Sequence, residues 1–207
     1  MDKSLYGPAR GHRSILTAIA LLILASGALA GASRLLASHL PAAKVARADL
    51  NRNGAQERYM LRRGRLLVTE SAGTLWQSPA AWRVDDFALG DANNDGTVEL
   101  LLSVWKRGSF GRHRPFWFGG EDADYKNHLF VYHLAGDTVK PVWLSSNLDR
   151  PIVSLTVRDV DGDGQNELVV TEGSYRHVTG EVFAPDARNT RVTVWRWEEW
   201  GFALCGP

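Results

Sequence analysis

The sequence predicts an all-β domain from residue 44 onward, and three observations carry that prediction. A nine-residue acidic motif occurs three times, as DLNRNGAQE at 49–57, DANNDGTVE at 91–99 and DVDGDGQNE at 159–167. A period-2 alternation precedes the motif and a short apolar run follows it, which is the pattern of strand, loop and strand. No stretch after residue 44 sustains a 3.6-residue apolar period, so almost no helix is expected there. In every copy Asp opens the motif, Asn or Asp stands third and fifth, Gly sixth and Glu ninth. Chance does not produce such a match three times, so the domain is built from repeats.

The elements follow in order from the N-terminus. Lys3, Arg10 and Arg13 precede an uncharged run, ILTAIALLILASGALAGA at 15–32, which as a helix reaches roughly 27 Å. Residues 1–32 therefore read as one hydrophobic helix, either a signal peptide cleaved near Ala28-Leu29-Ala30 or an uncleaved signal anchor that holds the chain to the membrane through residues 15–32. In both cases the basic start stays cytoplasmic and the remainder is extracytoplasmic, membrane-anchored or secreted. Residues 33–43 are a linker.

Residues 44–207 form the domain. In the first unit, about 44–79, the loop is followed by RLLVTE from Arg65 and TLWQS from Thr74. The second, about 82–146, passes from its loop into LLLSVW, an apolar run of the kind buried on both faces, then into HLFVYHL from His128 and VKPVWLS from Val139. Pro141 suits the last of these to an outer edge. The third, about 151–207, opens on Val153, Leu155 and Val157 alternating with Ser154, Thr156 and Arg158. It continues through Leu168, Val169 and Val170, RVTVWRW from Arg191 and WGFAL from Trp200. Three four-stranded antiparallel meanders of this size match the blades of a β-propeller-like domain. Closed propellers use roughly four to eight blades, so three form an open wedge or complete a ring with a second chain, as a homodimer.

Composition excludes several function classes. Lys plus Arg (24) balance Asp plus Glu (23), and a net charge of +1 gives no reason to expect nucleic acid as a partner. Cys205 is the single cysteine, so an exported domain has no internal disulfide and takes its stability from core packing or bound metal. Eight tryptophans leave several for exposed loops, where aromatic faces bind sugars or proteins. No nucleophile motif, phosphate loop or dinucleotide fingerprint occurs.

Oxygen-bearing side chains at alternate positions of a tight loop converge on one point, and the glycine at the sixth position permits the sharp turn; this is the chemistry of a hard cation such as calcium, which takes about six to eight oxygens. An EF-hand is excluded, because its bidentate Glu at the twelfth position is replaced by Met60, Leu102 and Val170. The first loop offers Asp49, Asn51, Asn53 and Glu57, with two carboxylates; the second has three and the third four. Carboxylate count thus ranks calcium affinity third, second, first, with up to three ions bound.

The motif, with its flanking phrase FALGDANNDGTVELLLSVW from Phe87, resembles the FG-GAP or VCBS repeat, the blade unit of the integrin α-subunit propeller, whose Asp-x-Asp-x-Asp-Gly loop joins the first two strands of a blade. The resemblance covers about twenty residues per copy. Glu replaces the family's frequent Asp at the ninth position, and LSVW stands where the Gly-Ala-Pro element would lie. It implies calcium ligation by Asp91, Asn93, Asp95 and Glu99 with the Thr97 carbonyl, and by Asp159, Asp161, Asp163 and Glu167 with the Gln165 carbonyl.

Strand alternation puts the acidic loops at one end and the two long second-to-third connections at the other. Those connections carry Arg112, Arg114, Phe116 and Trp117, and Tyr175 and Arg176; Trp82, in a last-to-first connection, joins them. Loops of this length are usually functional, and aromatics beside arginines suit a cell-surface glycan, a wall polymer or a protein ligand. The reading is a non-enzymatic, extracytoplasmic, adhesion-type module with structural calcium. Its alternatives are a polysaccharide lyase or hydrolase using Glu121, Asp122 and His177, and a structural subunit of a membrane complex.

Overall fold

In the computed structural model, which describes residues 43–71, 73–110, 115–180 and 182–205, every regular element is a β-strand. The N-terminal hydrophobic run, residues 33–42 of the linker, and Arg112 and Arg114 lie outside the described residues. Strands β1 (Lys44–Ala48), β2 (Glu57–Arg62), β3 (Arg65–Glu70) and β4 (Gly73–Gln77) pair antiparallel in chain order. So do β5 (Arg83–Gly90), β6 (Glu99–Arg107), β7 (Tyr125–Ala135) and β8 (Thr138–Leu144). The same holds for β9 (Ile152–Arg158), β10 (Glu167–Thr179), β11 (Val182–Glu198) and β12 (Gly201–Leu204). One parallel bridge, Val182 to Tyr125, merges the last two groups into an eight-stranded sheet. Because β9 packs back along β5, that sheet nearly closes on itself.

The period of two along the central strands sorts side chains between two cores. Leu100, Leu102 and Val104 of β6, with Phe130 and Tyr132 of β7, face Tyr59, Leu61, Leu66 and Val68 of the first sheet. Their neighbours Leu101, Leu129 and Val131 face Leu155, Leu168, Val170 and Phe202. Strand β6 is therefore covered on both sides, which is why LLLSVW is apolar without alternation. In β10 the run Leu168, Val169, Val170 has one covered face only, and Val169 is half-buried.

The seam between β5 and β9 is made by backbone proximity and one carboxylate. Asp86, almost fully buried, accepts from Lys44 Nζ (2.7 Å) on β1 and from the Leu155 N–H (3.0 Å) on β9. A single side chain so links all three strand groups. A Cβ at Gly90 would lie 2.5 Å from the Val157 Cβ, so only glycine permits this approach. Asn127 adds a buried amide link, donating to Ser103 Oγ (3.0 Å) and accepting from the Ile152 N–H (2.9 Å).

The second long connection is not a loop. Residues expected to form one, 174–189, extend β10 and β11 as a hairpin, with Tyr175 opposite Pro185 and His177 opposite Phe183. The turn is made at Gly180, whose φ of 51° is left-handed. Aromatic pairing stabilises the extension: Tyr175 meets Phe183 edge-on at 5.6 Å, and Lys126 Nζ lies 5.0 Å from the Phe183 ring.

Candidate metal centre

The three acidic loops follow the same backbone course. In each, the fourth and sixth residues have positive φ: Arg52 (56°) and Gly54 (89°), Asn94 (59°) and Gly96 (83°), Gly162 (80°) and Gly164 (86°). The opening aspartate then gathers N–H groups. Asp49 accepts from Asn53 (3.0 Å) and Gly54 (2.9 Å), Asp91 from Asp95 (3.1 Å) and Gly96 (2.8 Å), Asp159 from Gly162 (2.7 Å) and Gly164 (2.9 Å). The N–H groups of Gly164 and Gly162 hold Asp159 below the usual carboxylate range. The fifth residue accepts from the seventh at 2.8 Å in every loop, Asn53 from Ala55, Asp95 from Thr97 and Asp163 from Gln165.

The ninth-position glutamates close the loops from beneath. Glu57, Glu99 and Glu167 are buried, and one oxygen of each accepts the N–H of the loop's second residue: Leu50 (2.9 Å), Ala92 (2.9 Å) and Val160 (3.1 Å). Burial, reinforced by Asp95 and Asp91, pushes Glu99 up to about 7. Carboxylate oxygens of Asp91, Asp95 and Glu99 lie within 4.8 Å of one another, as do those of Asp159, Asp161 and Glu167. Oxygens bound to one calcium at about 2.4 Å are no more than about 4.8 Å apart, so neither set is too widely spaced to share one cation.

The third strand of each group supplies a residue beside the closing glutamate, and these three differ. Glu70 pairs with Glu57 in the first, and its Oε1 accepts from the amides of Asn51 (3.1 Å) and Asn53 (2.8 Å). In the second, the register that sets Leu100 against Tyr132 brings His133 level with Glu99. In the third it is Arg196, which donates to Glu167 Oε1 (2.9 Å) and Asp161 Oδ2 (3.0 Å) and stands 3.7 Å from Asp163. The loops also touch in sequence. Arg52 donates to the Gly96 carbonyl; Asn94 and Asn166 exchange hydrogen bonds at 3.1 and 2.7 Å, and Asn166 also donates to the Asp91 carbonyl (2.9 Å). Asn51 reaches the Gly136 carbonyl in the β7–β8 turn (3.3 Å), which places that turn at the same end.

Of the residues expected to bind a ligand, Phe116 and Trp117 are 95% and 74% exposed and pack edge-on against each other at 4.9 Å. Phe118 turns back onto Phe110. Trp82 packs edge-on against Phe130 beside the first core. The Tyr175 hydroxyl donates to the Leu148 carbonyl (2.9 Å) and accepts from the Asn127 N–H (3.2 Å). Arg176 is half-buried on the hairpin extension. Asp122 accepts from the N–H groups of Ser109 and Phe110, and His177 contacts the Gly180 carbonyl (2.6 Å). Sequence reasoning missed Glu70, Arg196 and the fourth-position residues. Glu70 and Arg196 are placed by strand register, which sets the residue four positions beyond Leu66 or one beyond Trp195 opposite a closing glutamate and which no local pattern of the sequence states. Comparison of the sequence with known protein families and with characterised proteins finds no match.

Proposed function

We propose that the chain is an extracytoplasmic calcium-binding module of the FG-GAP/VCBS type, a three-bladed propeller-like scaffold without enzymatic activity, in which calcium is structural. The observation that carries this reading is the recurrence of one loop geometry three times, closed each time by a buried glutamate and linked loop to loop along one end. Asp91, Asp95 and Glu99 would hold an ion in the second loop, and Asp159, Asp161 and Glu167 in the third. The ion supplies positive charge that offsets the repulsion among these carboxylates and the cost of burying one of them.

Charge near each loop revises the ranking by carboxylate count. Arg196 already compensates three carboxylates of the third loop, so an ion there must displace a guanidinium. The first loop, even with Glu70 beside it, has no set of three carboxylates with converging oxygens among the described residues, whereas the second has such a set and no arginine or lysine ion pair to it, which makes the second the strongest site. The exposed Phe116–Trp117 pair, on a connection at the end opposite the loops, suits contact with a glycan, wall polymer or protein.

Thermal melting of the full-length protein with calcium and with a chelator tests the metal reading. A higher midpoint with calcium is expected, and Asp95→Ala should lose more of that increase than Asn51→Ala. An identical midpoint with calcium and with chelator overturns the reading.

A further inference from the structure

At the outer edge between β8 and the β11–β12 hairpin lies a cleft of about 400 Å³, well away from Phe116 and Trp117 in the chain and lined differently from the acidic loops. Its volume falls in the range of roughly 300 to 1,000 Å³ that small-molecule sites occupy. Three of its walls are indole rings, Trp143, Trp195 and Trp200. The N–H of Trp143 donates to the Trp200 carbonyl (3.1 Å) and that of Trp195 to Thr193 Oγ1 (2.9 Å). With those donors engaged inside the protein, Trp143 and Trp195 offer a ligand their ring surfaces and edges. Trp200, at the β11–β12 turn, is 71% exposed. That turn is fixed, because Trp143 packs onto Gly201 so closely that a Cβ there would lie 2.5 Å from its Nε1.

The remaining wall is polar and charge-balanced. Glu172, almost fully buried, accepts from Arg191 Nε (2.5 Å) and lies 3.5 Å from Arg150 Nε. Arg150 Nε is buried and makes no hydrogen bond. Two guanidiniums share one carboxylate oxygen and Arg150 spends one further N–H on the Asn189 carbonyl (3.2 Å), which leaves each with N–H groups to donate, and exposed Asp149 adds an acceptor. Two positive and two negative groups leave no net charge to select an ion. Flat apolar rings beside a neutral set of donors and acceptors match the two sides of a sugar ring, whose axial C–H groups stack on indole while its hydroxyls both donate and accept.

We propose that this cleft binds an uncharged saccharide, with the ring stacked on Trp200 and its hydroxyls bonded by Arg150, Arg191 and Asp149. The proposal goes beyond the calcium reading and does not require it. Its test is tryptophan emission of the full-length protein in a non-glycosidic detergent, titrated with cellohexaose, chitohexaose, mannohexaose and hexagalacturonate. Saturable binding of at least one of the three neutral hexasaccharides is expected, weakened about tenfold by Trp200→Ala and unchanged by Trp117→Ala, since one aromatic stacking contact is worth up to about a factor of ten. Arg191→Gln should weaken it too, without loss of the folded near-ultraviolet spectrum. The proposal is overturned if none of the neutral hexasaccharides binds, if hexagalacturonate alone binds, or if Trp200→Ala leaves the affinity intact.

Discussion

Single residues decide how each acidic loop balances its charge. Arg196 is the clearest case, since its guanidinium contacts two carboxylates of the third loop and nears a third. Arg196→Ala should lower the midpoint of the calcium-free protein and raise calcium affinity at that loop by about thirtyfold, the effect of removing a unit charge roughly 4 Å from a divalent ion in water. Calcium titration calorimetry of the variant and the parent reads both signs; unchanged affinity would show that the guanidinium does not compete. A second residue controls acid stability. His128 is fully buried, its Nδ1 lies 3.2 Å from the Ser145 carbonyl, and burial, with Lys106 adding, pushes its pKa down to about 4. The folded pKa is depressed, so the neutral ring's contribution is complete above the unfolded pKa of about 6.5 and is lost as pH falls from there toward about 4. From pH 7 to pH 5 the parent should lose on the order of 2 kcal/mol relative to His128→Gln. Denaturant unfolding of both proteins at the two pH values isolates that difference from the titration of other groups. The closing glutamates are legible in the sequence because each lies inside its motif. Glu70 and Arg196 are not, because they reach their loops across a strand pairing whose register no local pattern states.

At the scale of elements, burial on both faces is readable and burial on one is easily misjudged. LLLSVW and Leu168–Val170 look alike as sequence, yet β6 lies between two other strand groups whereas β10 faces a neighbour on one side only. What distinguishes them is position in the stack, which is not a local property. The hairpin extension of β10 and β11 is hidden for a related reason: its polar and charged residues suggest a loop, but Tyr175 and Phe183 meet only once the strands pair. The β5–β9 seam gives the sharpest test of the packing. Gly90→Ala introduces a methyl 2.5 Å from the Val157 Cβ and should destabilise by roughly 1 to 3 kcal/mol, the usual cost of overpacking. Val157→Ala removes the γ-methyls but not the Cβ, so in the Gly90→Ala background it should recover part of that loss. The double-mutant cycle, measured by denaturant unfolding, should therefore show a favourable coupling, and strict additivity would mean that the two strands move apart instead.

The described strands form three antiparallel groups in series, the last two merged into one sheet, with two shared cores between them, and the exposed faces at the two ends of the series bear on assembly. The outer face at one end shows Val45 on β1 at 52% exposure, and the other shows Val192 on β11 at 67%. Exposed sheet surface of this kind favours self-association, which is the basis for expecting a ring completed by a second copy. Loop contacts argue the other way. The fourth residue of the first loop reaches the second through Arg52, and that of the second reaches the third through Asn94, but the fourth residue of the third loop is Gly162, which has no side chain to extend to a further neighbour. Alternation along the strands gives the same direction. Glu57 shares its face with Tyr59 and Leu61, toward the second strand group, and Glu99 shares its face with Leu101, toward the third. Glu167 lies on the opposite side from Leu168 and Val170, where no sheet follows, and Arg196 covers it instead. A face finished by a bonded guanidinium and a side-chain-free contact position is built as an end. The chain should therefore sediment as a monomer at about 10 μM, a concentration at which a dimer with a micromolar dissociation constant is largely assembled. A dimer that dissociates on Val192→Lys would restore the closed ring, because that substitution charges only the face through which the series would continue.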